Sequence, residues 1–179
     1  MKKGALHVHT NLSDGAFAPE EVIAYYRDLG FGFVAITDHS YLVKPDYLDR
    51  IPDRVDGIMV FKGIELEVES MCYHHVLEIP GEKEMLRVLC HPDSYQLSVE
   101  DVNGRIKDAP FPIDAVEITY LGFYTPKYDT AGIALPKIAT DDAHDEKAIA
   151  RAWIEVDAKM NRDAIIRAVK AGDFVLGFR

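Results

Sequence analysis

The sequence contains little of several features that would assign it to a protein class. Only two cysteines occur in 179 residues, Cys72 and Cys90, so no disulfide framework is expected and a reducing, cytoplasmic location is the default. No apolar run approaches the roughly 20 residues of a membrane-spanning helix, and the basic residues after Met1 are not followed by a signal-peptide core. The glycines form no P-loop-type phosphate-binding motif. These absences argue against a disulfide-rich scaffold and against a membrane protein.

Positive charge is also scarce. Lysine and arginine number 20 against 30 aspartates and glutamates, which gives a formal net charge of -10. A chain this acidic has no general attraction for nucleic-acid backbones or anionic membranes, so nucleic acid is expected at most as a substrate. The count overstates the negative charge if bound cations neutralise several carboxylates. The length suits a single compact domain over residues 1–179, and the sequence does not indicate an oligomeric state.

The first ordered stretch, Leu6 to Gly15, carries two histidines in an apolar run. His7 and His9 are two positions apart, so they would lie on the same face of a β-strand. The strand then ends in polar residues that include Asp14. Imidazoles on one strand face, followed by a carboxylate in the next loop, are typical of a metal site at a strand end. The pattern needs further ligands from elsewhere in the chain to complete such a site.

Strand-like and helix-like segments alternate along most of the chain. Apolar runs predict strands at residues 4–9, 33–37, 57–64, 72–79, 88–90, 115–119, 137–140, 152–156 and 174–178. Helical spacing or capping signals predict helices or helical turns at 45–55 and 82–87, and from residues 19, 98 and 161. This alternation indicates an α/β fold with a mostly parallel sheet. With six or seven of these strands in one sheet, a closed or nearly closed barrel is favoured over an open sheet.

Side chains that can bind metal ions follow many of these strands. In α/β folds, ligands bind at the carboxyl ends of the strands, so these side chains are expected to converge at one rim. About nine nitrogen and oxygen donors are enough for two or three divalent ions if carboxylates bridge them. A mixed histidine and carboxylate set without thiolates suits Zn²⁺, Mn²⁺ or Fe²⁺ better than Ca²⁺, Mg²⁺ or Cu⁺.

Six motifs in this order resemble the PHP (polymerase and histidinol phosphatase) family of metal-dependent phosphoesterases. They are His7-Val8-His9-Thr10 with Ser13-Asp14-Gly15, Thr37-Asp38-His39, Gly63-Ile64-Glu65, His75-Val76-Leu77, His91-Pro92 and Asp142-Ala143-His144. Together they extend over most of the chain. The resemblance implies a distorted, TIM-like (β/α)7 barrel, with metal ions in a cleft at the strand ends.

The resemblance also implies a division of the ligands among three metals. The first metal would be held by His7, His9, Glu65 and Asp142; the second by Glu65, His75 and His91; the third by Asp14, His39 and His144. Glu65 would therefore bridge two of them.

The activity implied by the resemblance is hydrolysis of a phosphate ester, of a small phosphomonoester or a nucleotide. A hydroxide bridging metals held by Glu65, His91 and Asp142 would attack phosphorus, with Asp38 as a supporting residue. Three basic residues near predicted strand or loop ends are candidate contacts to the phosphorylated substrate: Arg151, Lys137 and Arg179.

Three other functions remain open. A nuclease or phosphodiesterase acting on nucleic-acid ends would use the same cluster, although the acidic composition argues against it. An amidohydrolase-like enzyme often bridges its metals with a carbamylated lysine, but here Glu65 takes that position. A catalytically silent metal-binding module would be expected to have lost ligands, and nearly all are present. Glu117 is either a supporting residue or a paired or solvent-facing acid.

The adjacent histidines His74 and His75 give a first test. Successive strand residues face opposite sides, so only one of them can point at the metal cluster, and the family motif favours His75. We predict that His75→Ala lowers phosphatase activity far more than His74→Ala does, measured as phosphate release from the metal-loaded protein. The opposite ranking would mean that the strand faces the other way.

Overall fold

The computed structural model describes all of residues 1–179 and contains three α-helices of ten residues each. α1 covers Pro19–Asp28, with proline and two acidic residues in its first turn. α2 covers Val99–Asp108 and begins at Ser98, whose side chain accepts a hydrogen bond from the Asp101 amide. α3 covers Arg162–Ala171 and ends at Gly172 in the left-handed conformation. Proline in the first turn, serine before the helix and glycine after it are the residues that helix-capping rules favour. None of the three helices is long and apolar enough to span a membrane.

Thirteen short strands make up the rest of the regular structure. In chain order they are β1 Lys2–Ala5, β2 Phe33–Ile36, β3 Arg54–Val55, β4 Ile58–Lys62, β5 Ile64–Val68, β6 His74–Pro80, β7 Met85–Leu89, β8 Ala115–Glu117, β9 Thr119–Tyr120, β10 Phe123–Tyr124, β11 Lys137–Ile138, β12 Ala152–Val156 and β13 Phe174–Phe178.

The α/β class is confirmed, but the strands form no closed barrel. They form a six-stranded sheet in the order β13-β12-β1-β2-β4-β3, a five-stranded sheet in the order β11-β8-β7-β6-β5, and the separate β9-β10 hairpin. Both large sheets are mixed: β1, β2 and β4 pair in parallel, whereas β5, β6 and β7 pair antiparallel. The expectation of a mostly parallel sheet is therefore wrong, and the expected (β/α)7 barrel is not confirmed by these strands.

The physical reason lies in the connections. A parallel pair needs a crossover of a dozen or more residues, whereas an antiparallel pair can be joined by a tight turn. Only five residues separate β5 from β6, and four separate β6 from β7. These turns leave no room for crossover helices, so three consecutive strands fold back on one another.

Gly63 marks the point at which the chain passes from one sheet to the other. The predicted strand at 57–64 is divided there, because β4 belongs to the six-stranded sheet and β5 to the five-stranded one. A Cβ atom at this position would lie 2.9 Å from both the Glu78 carbonyl oxygen and the Thr37 methyl group. Only glycine allows such a close approach of the backbone segments.

Two isolated parallel bridges connect the sheets. One joins Val8 to Ala143, and the other joins His39 to Glu65. A core cluster between the sheets includes Phe33 and Phe61 from the first, Leu77 from the second, and the apolar face of α3. The two sheets therefore enclose a common core and meet again beyond their regular strands.

Two local predictions were wrong. Residues 45–55 form a short 3₁₀ helix at Tyr47–Arg50 followed by β3, and not a helix of that length. Residues 82–87 form a turn that leads into β7, and not a helical turn. In the second case the Asp163 carboxylate accepts hydrogen bonds from the amides of Glu82, Lys83 and Glu84, so a contact distant in sequence determines the backbone.

The close packing of β1 on β2 can be tested at Gly4. A Cβ at Gly4 would lie 1.8 Å from the ring of Phe33, whereas a Cβ at Gly104, inside α2, would meet nothing within 4 Å. We expect Gly4→Ala to lower the free energy of unfolding by about 2 kcal/mol or more through overpacking. Gly104→Ala should raise it by up to about 1 kcal/mol, because alanine favours the helix.

Urea denaturation of both variants measures the difference. Equal stabilities would show that β1 and β2 are not packed as described.

Candidate metal centre

All nine predicted metal-binding side chains come together where the two sheets meet. His7 and His9 follow β1, His39 follows β2, and Asp142 and His144 follow β11; Glu65 and His75 begin β5 and β6, His91 follows β7, and Asp14 lies in the loop after β1. They form overlapping groups in which the donor atoms lie within 4.8 Å of one another. The ends of many different strands thus deliver their polar side chains to one cleft.

The Glu65 carboxylate lies at the centre of this cluster and is 1% exposed. Oε1 lies 3.0 Å from His75 Nδ1, 3.0 Å from His91 Nε2 and 3.4 Å from His7 Nε2. Oε2 lies 2.8 Å from His39 Nδ1 and 3.4 Å from His9 Nε2. One carboxylate therefore contacts five imidazoles, whereas its two oxygens offer only about four lone pairs that can accept hydrogen bonds.

A first group consists of His7, His9 and Asp142, with Glu65 beside it. His7 Nε2 and His9 Nε2 are 3.0 Å apart, and they lie 3.4 Å and 3.3 Å from Asp142 Oδ1. Ligands bound about 2.1 Å from one cation at tetrahedral or octahedral angles are about 3.0 to 3.4 Å apart. The donor atoms are therefore already spaced as a divalent ion requires.

A second group surrounds Asp14 on the more open side of the cleft. The Asp14 carboxylate lies 3.3 Å from His144 Nε2, 3.5 Å from His39 Nε2 and 3.6 Å from His9 Nδ1. His9 thus presents one ring nitrogen to each group. A neutral imidazole has only one free lone pair, so His9 can serve as a ligand in only one of them.

Several buried polar atoms of the cluster have no hydrogen-bond partner. They include His9 Nδ1, His39 Nδ1 and Glu65 Oε2. The last two lie 2.8 Å apart, but without hydrogen-bond geometry. Buried polar atoms left unsatisfied cost free energy, and cations bound among these donors would supply partners that the protein itself lacks. The residues present therefore fit a metal centre.

The electrostatics of the cluster support the same conclusion. Burial by itself lowers the pKa of His7, but the neighbouring carboxylates, above all Glu117, raise it well above its usual value. Burial would raise the pKa of Glu65, yet the charge of His7 and hydrogen bonds from the imidazoles hold it well below its usual value. The carboxylates thus require positive charge nearby. Histidine ligands must be neutral, so metal ions would displace protons from these rings.

The PHP domain family model matches residues 5–129. This range contains seven of the nine donors, from His7 to His91. The chain belongs to the PHP domain family. Its fold also resembles a two-domain protein from Bacteroides vulgatus ATCC 8482 that contains a predicted PHP-like metal-dependent phosphoesterase. The TM-score is 0.69 at 21% identity, covering 99% of this chain and 65% of that one.

Two further relatives are informative. A proposed metal-dependent phosphoesterase of Bifidobacterium adolescentis ATCC 15703 has a TM-score of 0.65 at 15% identity, and the match covers 94% of this chain and 96% of that protein. The DNA polymerase/3′-5′ exonuclease PolX of Bacillus subtilis (strain 168) is 29% identical over 79 residues. That match includes 37% of this chain but only 14% of the polymerase.

The sequence left the role of Glu117 open. In this PHP domain, Glu117 supports the donor cluster. It ends β8, is fully buried, and lies 2.7 Å from His7 Nδ1. It also accepts hydrogen bonds from the His91 amide and the Thr140 hydroxyl, each at 2.7 Å. It therefore keeps the proton of His7 on Nδ1 and leaves Nε2 free to face the cluster. An acid at the end of an otherwise apolar strand was the only signal for it.

Asp38 also supports the PHP domain's cleft, but through a loop. Its buried carboxylate accepts hydrogen bonds from the Thr10 amide at 2.7 Å, the Thr10 hydroxyl at 2.8 Å and the Ser13 hydroxyl. No imidazole is among these partners. Asp38 thus holds the segment between His9 and Asp14, which positions both donors.

The positions of the adjacent histidines agree with the expected strand face. His75 Nδ1 lies 3.0 Å from Glu65, whereas His74 is buried on the other side and donates from Nε2 to the Cys90 carbonyl at 2.8 Å. Burial lowers the pKa of His74 to about 3, so this ring stays neutral. Cys90 approaches the cluster, but burial raises the pKa of its thiol, which disfavours the thiolate needed for metal binding.

The basic residues expected to contact substrate lie elsewhere. Arg151 and Arg179 line a separate cavity that includes none of the nine donors. Lys137 Nζ donates to the Ile133 carbonyl at 2.6 Å. A role in binding the substrate at the metal centre stays a prediction for both arginines.

The role of Glu117 can be tested by Glu117→Gln. Glutamine keeps the size of the side chain, but its NH₂ group is a donor. The single remaining oxygen cannot accept all three hydrogen bonds that the carboxylate accepts from His7, His91 and Thr140. We expect a loss of metal affinity of about 10- to 100-fold, as is usual for residues that orient ligands. Competition with a chromophoric chelator measures it.

Glu100→Gln, an exposed acid in the first turn of α2, is the matched control. If both variants bound Mn²⁺ or Zn²⁺ like the unaltered protein, Glu117 would not orient the ligands.

Proposed function

We propose that this PHP domain hydrolyses phosphate esters with the help of two to three divalent metal ions, Zn²⁺, Mn²⁺ or Fe²⁺. The observation that supports this most directly is the sharing of Glu65 between donor groups, because a carboxylate in contact with five imidazoles suits adjacent cations. The donor set contains nitrogen and oxygen only, which fits these metals. When bound, such ions activate water and neutralise charge on a phosphoryl group.

The residues of the chain have distinct tasks in this proposal. The histidines and carboxylates hold the ions close together, with Glu65 shared, while Glu117 fixes the tautomer of His7. The cleft itself contains no lysine or arginine paired with these carboxylates, since every contact within ion-pair distance involves histidine. An anionic substrate would therefore be recognised mainly through the metal ions.

The charge of the protein favours a small substrate. A net charge of -10 disfavours a general attraction for polynucleotides, so we propose a small phosphomonoester or nucleotide. The similarity to a polymerase with a 3′-5′ exonuclease keeps the nuclease alternative open, although the match covers a small part of that enzyme. An amidohydrolase-like reaction is less well supported, because Glu65 holds the bridging position and its contacts within ion-pair distance are all histidines.

Metal content and substrate range test the proposal together. We expect two to three metal ions per chain by elemental analysis, and phosphate release from phosphomonoesters that exceeds turnover of phosphodiesters, oligonucleotides and amides. His9→Ala and Asp142→Ala should each lower kcat/KM by more than the roughly 10- to 100-fold that loss of a supporting residue costs.

Asp49→Ala, at an exposed aspartate in the 3₁₀ helix at Tyr47–Arg50, should keep full activity. Stoichiometric metal without turnover of any substrate would favour a silent metal-binding module. Wild-type turnover by either ligand variant would contradict the proposed centre.

A further inference from the structure

A second cavity, of about 890 Å³, lies between the β9-β10 hairpin, the end of β13 and the C-terminal part of α1. We call it the hairpin cavity. Its volume is within the range of small-molecule sites, and none of the nine metal-binding side chains lines it. Three cationic side chains do: Lys147, Arg151 and Arg179.

Arg151 and Arg179 lie opposite each other across an antiparallel strand pair. Ala152 pairs with Phe178, and the Arg179 amide donates to the Arg151 carbonyl at 2.9 Å, which continues the register by one residue. Like charges at opposite positions are destabilising. No carboxylate lies within ion-pair distance of either guanidinium or of Lys147. The pair therefore lacks the negative partner that its arrangement calls for.

Arg151 is held in place by the hairpin. Its Nη1 donates to the Leu121 carbonyl at 3.1 Å, and its guanidinium lies 4.9 Å from the ring centre of Phe123. Gly122, at φ +80°, allows this, since a Cβ there would lie 2.5 Å from the Arg151 Cβ. The remaining guanidinium donors are thus positioned before any ligand arrives, which reduces the entropic cost of binding.

Exposed aromatic rings surround these cations. Phe123 is 63% exposed, Tyr124 45% and Phe178 43%, and all three line the cavity. Rings this exposed and grouped together are unusual unless they contact another molecule. Of the two acids that line the cavity, Asp28 is paired with Arg27, which leaves Glu146 against the three cations. The cavity thus combines net positive charge with aromatic surface, on a chain of net charge -10.

We propose that the hairpin cavity binds an organic anion that carries a planar aromatic ring, of the class of nucleoside monophosphates. The phosphate would lie between Arg151 and Arg179, where planar guanidinium groups can bind it through paired hydrogen bonds. The base would stack on the exposed aromatic side chains. This site is distinct from the metal centre and does not depend on the proposed hydrolysis.

Calorimetric titration of the intact chain in EDTA tests this, with AMP, adenosine and inorganic phosphate as probes. We expect AMP to bind at least about 10-fold more tightly than either fragment, because both parts of the cavity contribute. Arg151→Gln and Arg179→Gln should each weaken AMP binding by about 10-fold or more. Phe123→Ala should weaken binding of AMP but not of phosphate.

Two controls separate this site from the rest of the protein. Arg50→Gln, at an exposed arginine outside the cavity, and Asp142→Ala, at the metal centre, should each leave AMP affinity in EDTA unchanged. The proposal is overturned if AMP does not bind at millimolar concentration, or if folded Arg179→Gln binds it normally. Loss of AMP binding in Asp142→Ala would place the ligand at the metal centre instead. A dimer that Phe123→Ala dissociates would assign the surface to a second copy of the chain.

Discussion

The buried carboxylate of Glu65 imposes the constraint on which the rest of the site depends. Five imidazoles approach its two oxygens, and its burial makes every unpaired charge or lone pair costly. Protons on the histidines can balance this charge, and so can cations. Since both satisfy the same lone pairs, metal binding and the titration of the histidines are two aspects of one equilibrium. Glu117 biases that equilibrium by fixing which nitrogen of His7 carries a proton.

The fold brings Glu65 to this position through the connection between the two sheets. The chain leaves one sheet at Lys62, passes through Gly63 without room for a side chain, and begins the other sheet at Ile64. The bridge between His39 and Glu65 then joins a residue that follows β2 to the start of β5. The centre thus lies at a junction, where irregular backbone can present polar groups from many strands. The hairpin cavity is formed by other segments, and none of the nine donors lines it.

Motif order and local chemistry made much of this predictable. The helix starts at Pro19 and Ser98 and the stop at Gly172 follow from local backbone and capping rules, which operate within a few residues. The histidines were predicted to converge because they recur near strand ends. The closed barrel was not borne out by the strands, because periodicity does not reveal whether two apolar runs pair in parallel or fold back. The turn at residues 82–87 depends on Asp163, about eighty residues away, which no local pattern reports.

By itself, the sequence determined the donor types, their order along the chain and the α/β class, since these follow from side-chain chemistry and local periodicity. Only the tertiary structure decided which donors face one another, since that depends on strand register and on the junction at Gly63. It placed His9 between two donor groups, brought Glu117 to His7 across 110 positions of sequence, and set Arg151 and Arg179 on a cavity of their own. Such contacts arise from three-dimensional packing between distant segments, so a reading of neighbouring residues cannot supply them.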